Sequence, residues 1–102
     1  MQTVRLGQDR LVAVVGPVSG PDAGSEINLI GQRAREAIDA LGIFLDRALR
    51  AGLGEVRVVH GFGSGALRRA VHEVLDATPY CQGYQDAAPA AGGAGVTVAR
   101  LA

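Results

Sequence analysis

The sequence predicts an α/β (α+β) domain: a two-layer sandwich in which a mixed four-stranded sheet carries two helices on one face. Three features point there. Apolar residues recur at three- and four-residue steps over about 33–51 and 64–77, the period of an amphipathic helix. Four short segments alternate or run apolar in the manner of strands. Their order along the chain is strand, helix, strand, helix, strand, strand, and right-handed crossovers then bring both helices to one side of the sheet.

The elements follow in order. Residues 11–15, LVAVV, read as a short strand, and 16–25, GPVSGPDAGS, as a linker, so 1–25 is expected to be an N-terminal strand and linker from a larger protein and 26–102 the compact domain. EINLI (26–30) reads as the first strand of that domain and ends at Gly31. From about Arg33, the residues Ala34, Ala37, Ile38, Leu41, Phe44, Leu45, Ala48 and Leu49 form one apolar face. Arg35 with Asp39 and Asp46 with Arg50 are four apart, the spacing of helix ion pairs. Gly42 inside this helix predicts close packing there, and Gly52 its end.

EVRVVH (55–60) reads as a largely buried strand, and Leu67, Ala70, Val71, Val74 and Leu75 as the buried stripe of a second helix stopped by Pro79. YCQGYQDA (80–87) is a strand broken at Gly83, APAAGGAG (88–95) a small-residue hairpin loop, and VTVARL (96–101) the last strand, with Thr97, Ala99 and Leu101 on one face.

Composition narrows the function. The chain has 102 residues, 48% of them hydrophobic and 20% charged, the balance of a single globular domain. No apolar run reaches membrane-span length and no signal sequence opens the chain, so a cytoplasmic location is expected and no membrane partner. The single Cys81 has no internal disulfide partner. Net charge is zero, yet all ten basic residues are arginine. Codon bias explains that choice without function; convergence of several arginines on one face would instead suit phosphate.

The segment VVHGFGSGALRRA (58–70) carries the chemistry. A strand, a glycine turn and a helix N-terminus together make an anion site, because first-turn amides point outward and glycines let phosphate approach the backbone. Gly61, Gly63 and Gly65 form the turn, Ser64 caps the helix or donates to phosphate, Arg68 and Arg69 add charge, and His60 at the strand end can serve as general acid or base. The spacing is G-x-G-x-G, not the dinucleotide fingerprint, and the absence of lysine excludes a P-loop. The plain alternative is a tight turn with a satisfied histidine. His72 reads as a solvated helix residue beside Arg68 and Asp76. No cluster has metal-ligand spacing.

Taken together, I-N-L-I-G (27–31), H-G-F-G-S-G (60–65) and G-G-A-G-V-T (92–97) resemble the three signatures of the Smr (small MutS-related) domain, and the resemblance spans about 27–102. It implies a fold akin to the C-terminal domain of translation initiation factor three. It also implies sequence-independent nucleic-acid binding, often with endonuclease activity on branched or double-stranded DNA, in recombination suppression or repair; relatives act on RNA at stalled ribosomes. The partner it implies within the parent protein is a MutS-type ATPase core, absent here. From the turn, its neighbouring residues and this resemblance together, the catalytic candidates are His60, Asn28 and Arg33, and the nucleic-acid-binding candidates Gly61, Phe62, Gly63, Ser64, Gly65, Arg68, Arg69 and Arg35. No tightly bound cofactor is expected; Mg²⁺ or Mn²⁺ carried by the nucleic acid is the one cation to test.

Two departures matter. The family pattern has Asp where this chain has Asn28, and His or Arg where it has Ile30, so a carboxylate and a cation are missing. Arg33 or Arg35 could supply charge from the adjoining turn, and Phe62 could stack on an unpaired base or pack on the sheet edge. Three readings stand: a nuclease-type domain, a binding module that has lost catalysis, and a protein-interaction domain with no salt-dependent nucleic-acid binding.

Overall fold

The computed structural model describes residues 25–102. The strand expected at 11–15 and nearly all of the linker expected at 16–25 lie outside them. Strand β1 (Glu26–Asn28) is followed by helix α1 (Ala34–Arg50), β2 (Glu55–Val59), α2 (Ala66–Ala77), β3 (Cys81–Asp86) and β4 (Val96–Leu101). The sheet order is β1-β2-β4-β3, with β1 parallel to β2 and β4 antiparallel to both its neighbours. This is the mixed four-stranded sheet that the element order predicts.

One core explains the layering. Leu41, Leu45 and Ala48 of α1 meet Val71 and Leu75 of α2 over Val56 and Val58 of β2 and Ala99 and Leu101 of β4. Alternation along β2 and β4 is what turns these residues to the helices. The expected stripe of α1 holds except at two residues: Ile38 is 39% exposed and Ala34 lies open at the first turn. Helix α1 ends in a Schellman arrangement, Leu53 N donating to Ala48 O (3.0 Å) and Gly52 N to Leu49 O (3.0 Å). Of the two predicted charge pairs, Asp46–Arg50 forms at 3.2 Å, and both partners are solvated; such a pair adds only tenths of a kcal/mol.

Two expectations shift. The first strand pairs only to Asn28: Leu29 N makes the last bond of that ladder, to Val59 O (2.8 Å), and the chain then turns. Helix α2 starts two residues later than expected, because Gly65 at φ 87° is left-handed and cannot be its first helical residue. The break at Gly83 is a bulge in the β3–β4 ladder.

Gly42 corrects a further expectation. It lies on the exposed side of α1, and an added methyl group would meet nothing within 4 Å. It therefore carries the helix cost of glycine with no packing return. Gly42→Ala is expected to stabilise the domain by about 0.5–1 kcal/mol, read as a higher urea midpoint at unchanged m-value. Leu41→Ala, at 0% exposure, should lose about 2–5 kcal/mol in the same assay.

Candidate functional site

The carboxyl ends of β1 and β2 are adjacent and parallel, so the turns after them, 29–33 and 60–65, face one another. Between them lies a cleft of about 520 Å³ lined by Gly31 to Ala34 on one side and by His60 and Phe62 to Leu67 on the other. Both helices begin at its rim. The first i→i−4 bonds are Ala37 N to Arg33 O and Arg69 N to Gly65 O, both 2.9 Å, so the amides before them have no helical partner. One is taken locally, Ala66 N by Ser64 Oγ at 3.3 Å. The other turn is tightened by Glu36, whose Oε1 accepts Arg33 N at 3.2 Å. Among the described residues, no acidic side chain lines the cleft, and Arg33 does. Two helix N-termini and one arginine make it a place for anions.

The turn itself is anchored from behind. Gly95 O accepts from His60 N (3.1 Å) and from Gly61 N (2.9 Å), so the loop formed by two short 3₁₀ turns, Pro89–Ala91 and Gly93–Gly95, docks directly onto the His60 turn. Gly61 has φ 76° and lies beneath Ile30, whose Cγ1 would be 3.2 Å from any added Cβ. Phe62 lies over Gly95 and remains 71% exposed. Phe62 and Ile30 (57%) are the two most exposed large apolar side chains among the described residues, and they flank the same turn.

His60 is 4% exposed and both of its ring nitrogens are bonded. Nδ1 lies 3.0 Å from Gly61 O, and Nε2 lies 2.8 Å from Thr97 Oγ1. A carbonyl only accepts, so Nδ1 carries the proton in this arrangement and Nε2 accepts from the Thr97 hydroxyl. Thr97 pairs with Val58 across the sheet, and His60 two residues further points to the same face.

His72 is not the solvated residue that its sequence neighbours suggest. It is half-buried, with Nε2 3.1 Å from the same Thr97 Oγ1 and its ring 4.7 Å from that of Tyr84. Burial holds its pKa below 6.5, helped by the positive Arg68 and by His60; Asp86 and Asp76 oppose. Tyr84 donates to Asp76 at 2.8 Å, and that bond leads the causes raising the tyrosine's own pKa above 10.

The remaining candidates separate. Gly61, though not on the cleft wall, holds the turn's left-handed bend, while Phe62, Gly63, Ser64, Gly65, His60 and Arg33 line the cleft. Asn28, Arg35, Arg68 and Arg69 do not line it. The Asn28 side chain is spent on its own turn, Oδ1 accepting from Ile30 N at 2.9 Å. Arg68 turns to β3 and binds Asp86 at 2.9 Å, which lowers the Asp86 pKa. Gln32 is also on the cleft wall. Thr97 and His72 were not among the sequence candidates; the signal for Thr97 is the strand face it shares with His60, and for His72 there is none. A groove of about 320 Å³ on the open face of the sheet is a weaker candidate. Its Arg57 is committed to Glu26 Oε1 (3.0 Å) and Ala91 O (2.9 Å).

The fold and cleft define a small α+β domain with an anion-facing site built on a buried histidine. The Smr domain model matches residues 27–102, and the chain belongs to that family. It is 49% identical over 81 residues to the Endonuclease MutS2 of Thermomicrobium roseum, covering 79% of this chain and 10% of that protein. Against the Endonuclease MutS2 of Lactobacillus helveticus it is 37% identical over 92 residues, covering 90% and 12%. The chain thus spans about a tenth of the length of the curated relatives it matches. Its structure is similar to the Smr domain of Thermus thermophilus MutS2 (TM-score 0.75, 38% identity, 76% of this chain and 98% of that one). It is also similar to YdaL, a stand-alone small MutS-related protein of Escherichia coli (TM-score 0.74, 28% identity, 78% and 65%). No helix among the described residues is long and apolar enough to cross a membrane.

The His72 environment makes a prediction. Its folded pKa is below 6.5, so the unfolded chain binds more protons between that value and 6.5. Its contribution to stability is complete above pH 6.5 and is lost as pH falls through the folded value. Arg68→Ala should move the NMR titration of His72 upward, because it removes a positive neighbour and releases Asp86; an unmoved midpoint would refute this account.

Proposed function

We propose that the cleft binds the phosphate backbone of nucleic acid, branched or double-stranded DNA first, and that the domain hydrolyses a phosphodiester there as an endonuclease. The observation that carries this reading is the meeting of two helix N-termini, Arg33 and the His60 turn around a cleft with no acidic lining. Kinship with proteins named Endonuclease MutS2 supports the reaction class. Unspent first-turn amides and the glycine turn hold phosphate oxygens. Arg33 stabilises the charge that builds as water adds to phosphorus and the bond from phosphorus to the sugar oxygen breaks. His60 handles the proton. Phe62 offers an exposed ring on which an unpaired base stacks. Arg35 and Arg69, exposed at the starts of the two helices, extend the contact to neighbouring phosphates.

The cleft offers no carboxylate to a hard cation. No step is therefore assigned to a metal held by the chain, and Mg²⁺ or Mn²⁺ would arrive with the nucleic acid. In the parent protein the domain would act beside a MutS-type ATPase core, in the cytoplasm, during recombination control or repair.

A second reading rests on Asn28 and Ile30. Asn28 is neutral and bonded into its turn, and Ile30 covers Gly61 with an alkyl group. On that reading the domain binds DNA or RNA, at stalled ribosomes for example, and only delivers its parent.

The two are separated by incubating the full chain with end-labelled supercoiled, branched and single-stranded substrates in Mg²⁺, Mn²⁺ or EDTA. On the nuclease reading His60→Ala abolishes nicking while leaving salt-dependent binding, and Arg33→Ala slows nicking about 10²–10³-fold. Binding without cleavage by the wild type establishes the second reading. Phe62→Ala is expected to weaken single-stranded binding by about 1–3 kcal/mol.

A further inference from the structure

Thr97 Oγ1 lies 2.8 Å from His60 Nε2 and 3.1 Å from His72 Nε2, and the two imidazoles meet edge to face with centroids 6.3 Å apart. Thr97 is 0% exposed. A hydroxyl has one proton and two acceptor positions, so it bonds both rings by donating to one and accepting from the other. Both bonds reverse when that proton rotates and each ring changes tautomer. The chain from the cleft to the half-buried side of α2 and β3 is therefore continuous.

The buried ring needs such a connection. At 4% exposure His60 carries charge only at a desolvation cost. Any proton gained at Nδ1, on the turn side, stays cheap only if one leaves Nε2, and Nε2 touches Thr97. We propose that His60, Thr97 and His72 form one proton-carrying unit, with His72 as its outer terminus and a positioning residue for the hydrolysis proposed above, on which the catalytic part of this inference rests.

The step starts from the tautomer opposite to the resting one: Nδ1 has released the Gly61 carbonyl and the proton sits on Nε2. His60 Nδ1 then takes a proton from the attacking water, whose oxygen bonds to phosphorus. The Nε2 proton passes to Thr97 Oγ1 as the hydroxyl's own proton passes to His72 Nε2. His60 ends neutral, Thr97 unchanged and His72 an imidazolium. The proton then leaves to solvent or returns by the same path to the departing sugar oxygen. The groups around His72 suit a brief stay: Asp76 on α2 and Asp86 on β3 favour the cation, Arg68 on α2 and His60 beyond Thr97 oppose it, and Tyr84 packs on the ring. Burial keeps the resting ring neutral and makes a proton gained there easy to give up again.

The test does not need nuclease activity. Nitrogen-15 histidine spectra of the full chain, which distinguish the two neutral tautomers, should show the tautomers of the two rings changing in step. Thr97→Val should let the rings choose tautomers independently, and Thr97→Ser should restore the link. His72→Gln, at a half-buried position, should leave His60 in one tautomer and serves where Thr97→Val does not fold. Tautomers that are independent in the wild type, or a link that survives Thr97→Val, overturn the unit. With a nicked substrate in hand, His72→Gln and Thr97→Val should lower kcat about 10–100-fold at unchanged KM and move the acid limb of the pH–rate profile, with Thr97→Ser near wild type. Linked tautomers with an unmoved profile overturn the catalytic role alone. Absence of nicking by the wild type defeats the hydrolytic reading and leaves the spectroscopic result to stand by itself.

Discussion

One carbonyl ties the site to the sheet. Gly95 O accepts from His60 N and Gly61 N at once, which carries the β2–β4 pairing past the end of β2 and makes the chain turn there. Everything that defines the cleft on that side follows from this junction. The turn must bend with a left-handed Gly61, Phe62 is laid over the small Gly95, and Thr97, two residues beyond Gly95, arrives beside the His60 ring. A side chain at position 95 would meet the Phe62 ring at 3.0 Å. The glycines of two distant motifs are therefore one structural requirement.

At the cleft, backbone contributes positive potential beside the one arginine of its wall. The chain is neutral overall. Arg57, Arg68 and Arg50 are each paired with a carboxylate, at 3.0, 2.9 and 3.2 Å. Of the basic residues on the His60 turn's side of the molecule, Arg33 is the one that enters the cleft wall. The helix N-termini supply what remains, through dipoles fixed by α1 and α2 packing on the same sheet face. A net charge of zero is thus compatible with a phosphate-facing site, because the field that matters is confined to one end of the sheet.

The order of elements, the core stripe and the cleft were legible in the sequence because each rests on periodicity, on glycine chemistry or on adjacency of parallel strand ends. Gly42 was misleading, since a glycine in a helix signals cost but not its cause, and here the site is open to solvent. His72 was misread for a different reason. Its neighbours Arg68 and Asp76 suggested a wet face, yet α2 turns that edge toward β3, where Tyr84 and Thr97 receive the ring. Arg68 shows the same limit. A basic residue in a first helical turn points to phosphate only if no carboxylate is closer, and Asp86, eighteen residues on, is closer. Pairings across strands distant in sequence are what local patterns do not encode.

The departures at β1 bear on chemistry rather than shape. The Asn28 side-chain oxygen caps Ile30 N, a bond that a carboxylate oxygen would make equally well. Ile30 covers Gly61 by contact alone. The turn after β1 therefore keeps its form with neither charge. Among the described residues that line the cleft, the one imidazole is that of His60, which is buried and bonded at both nitrogens. A lone group so placed can exchange a proton with a substrate only if its other nitrogen exchanges one in step. The geometry on the Thr97 side, more than the glycine motif, therefore decides whether the His60 ring can pass a proton on.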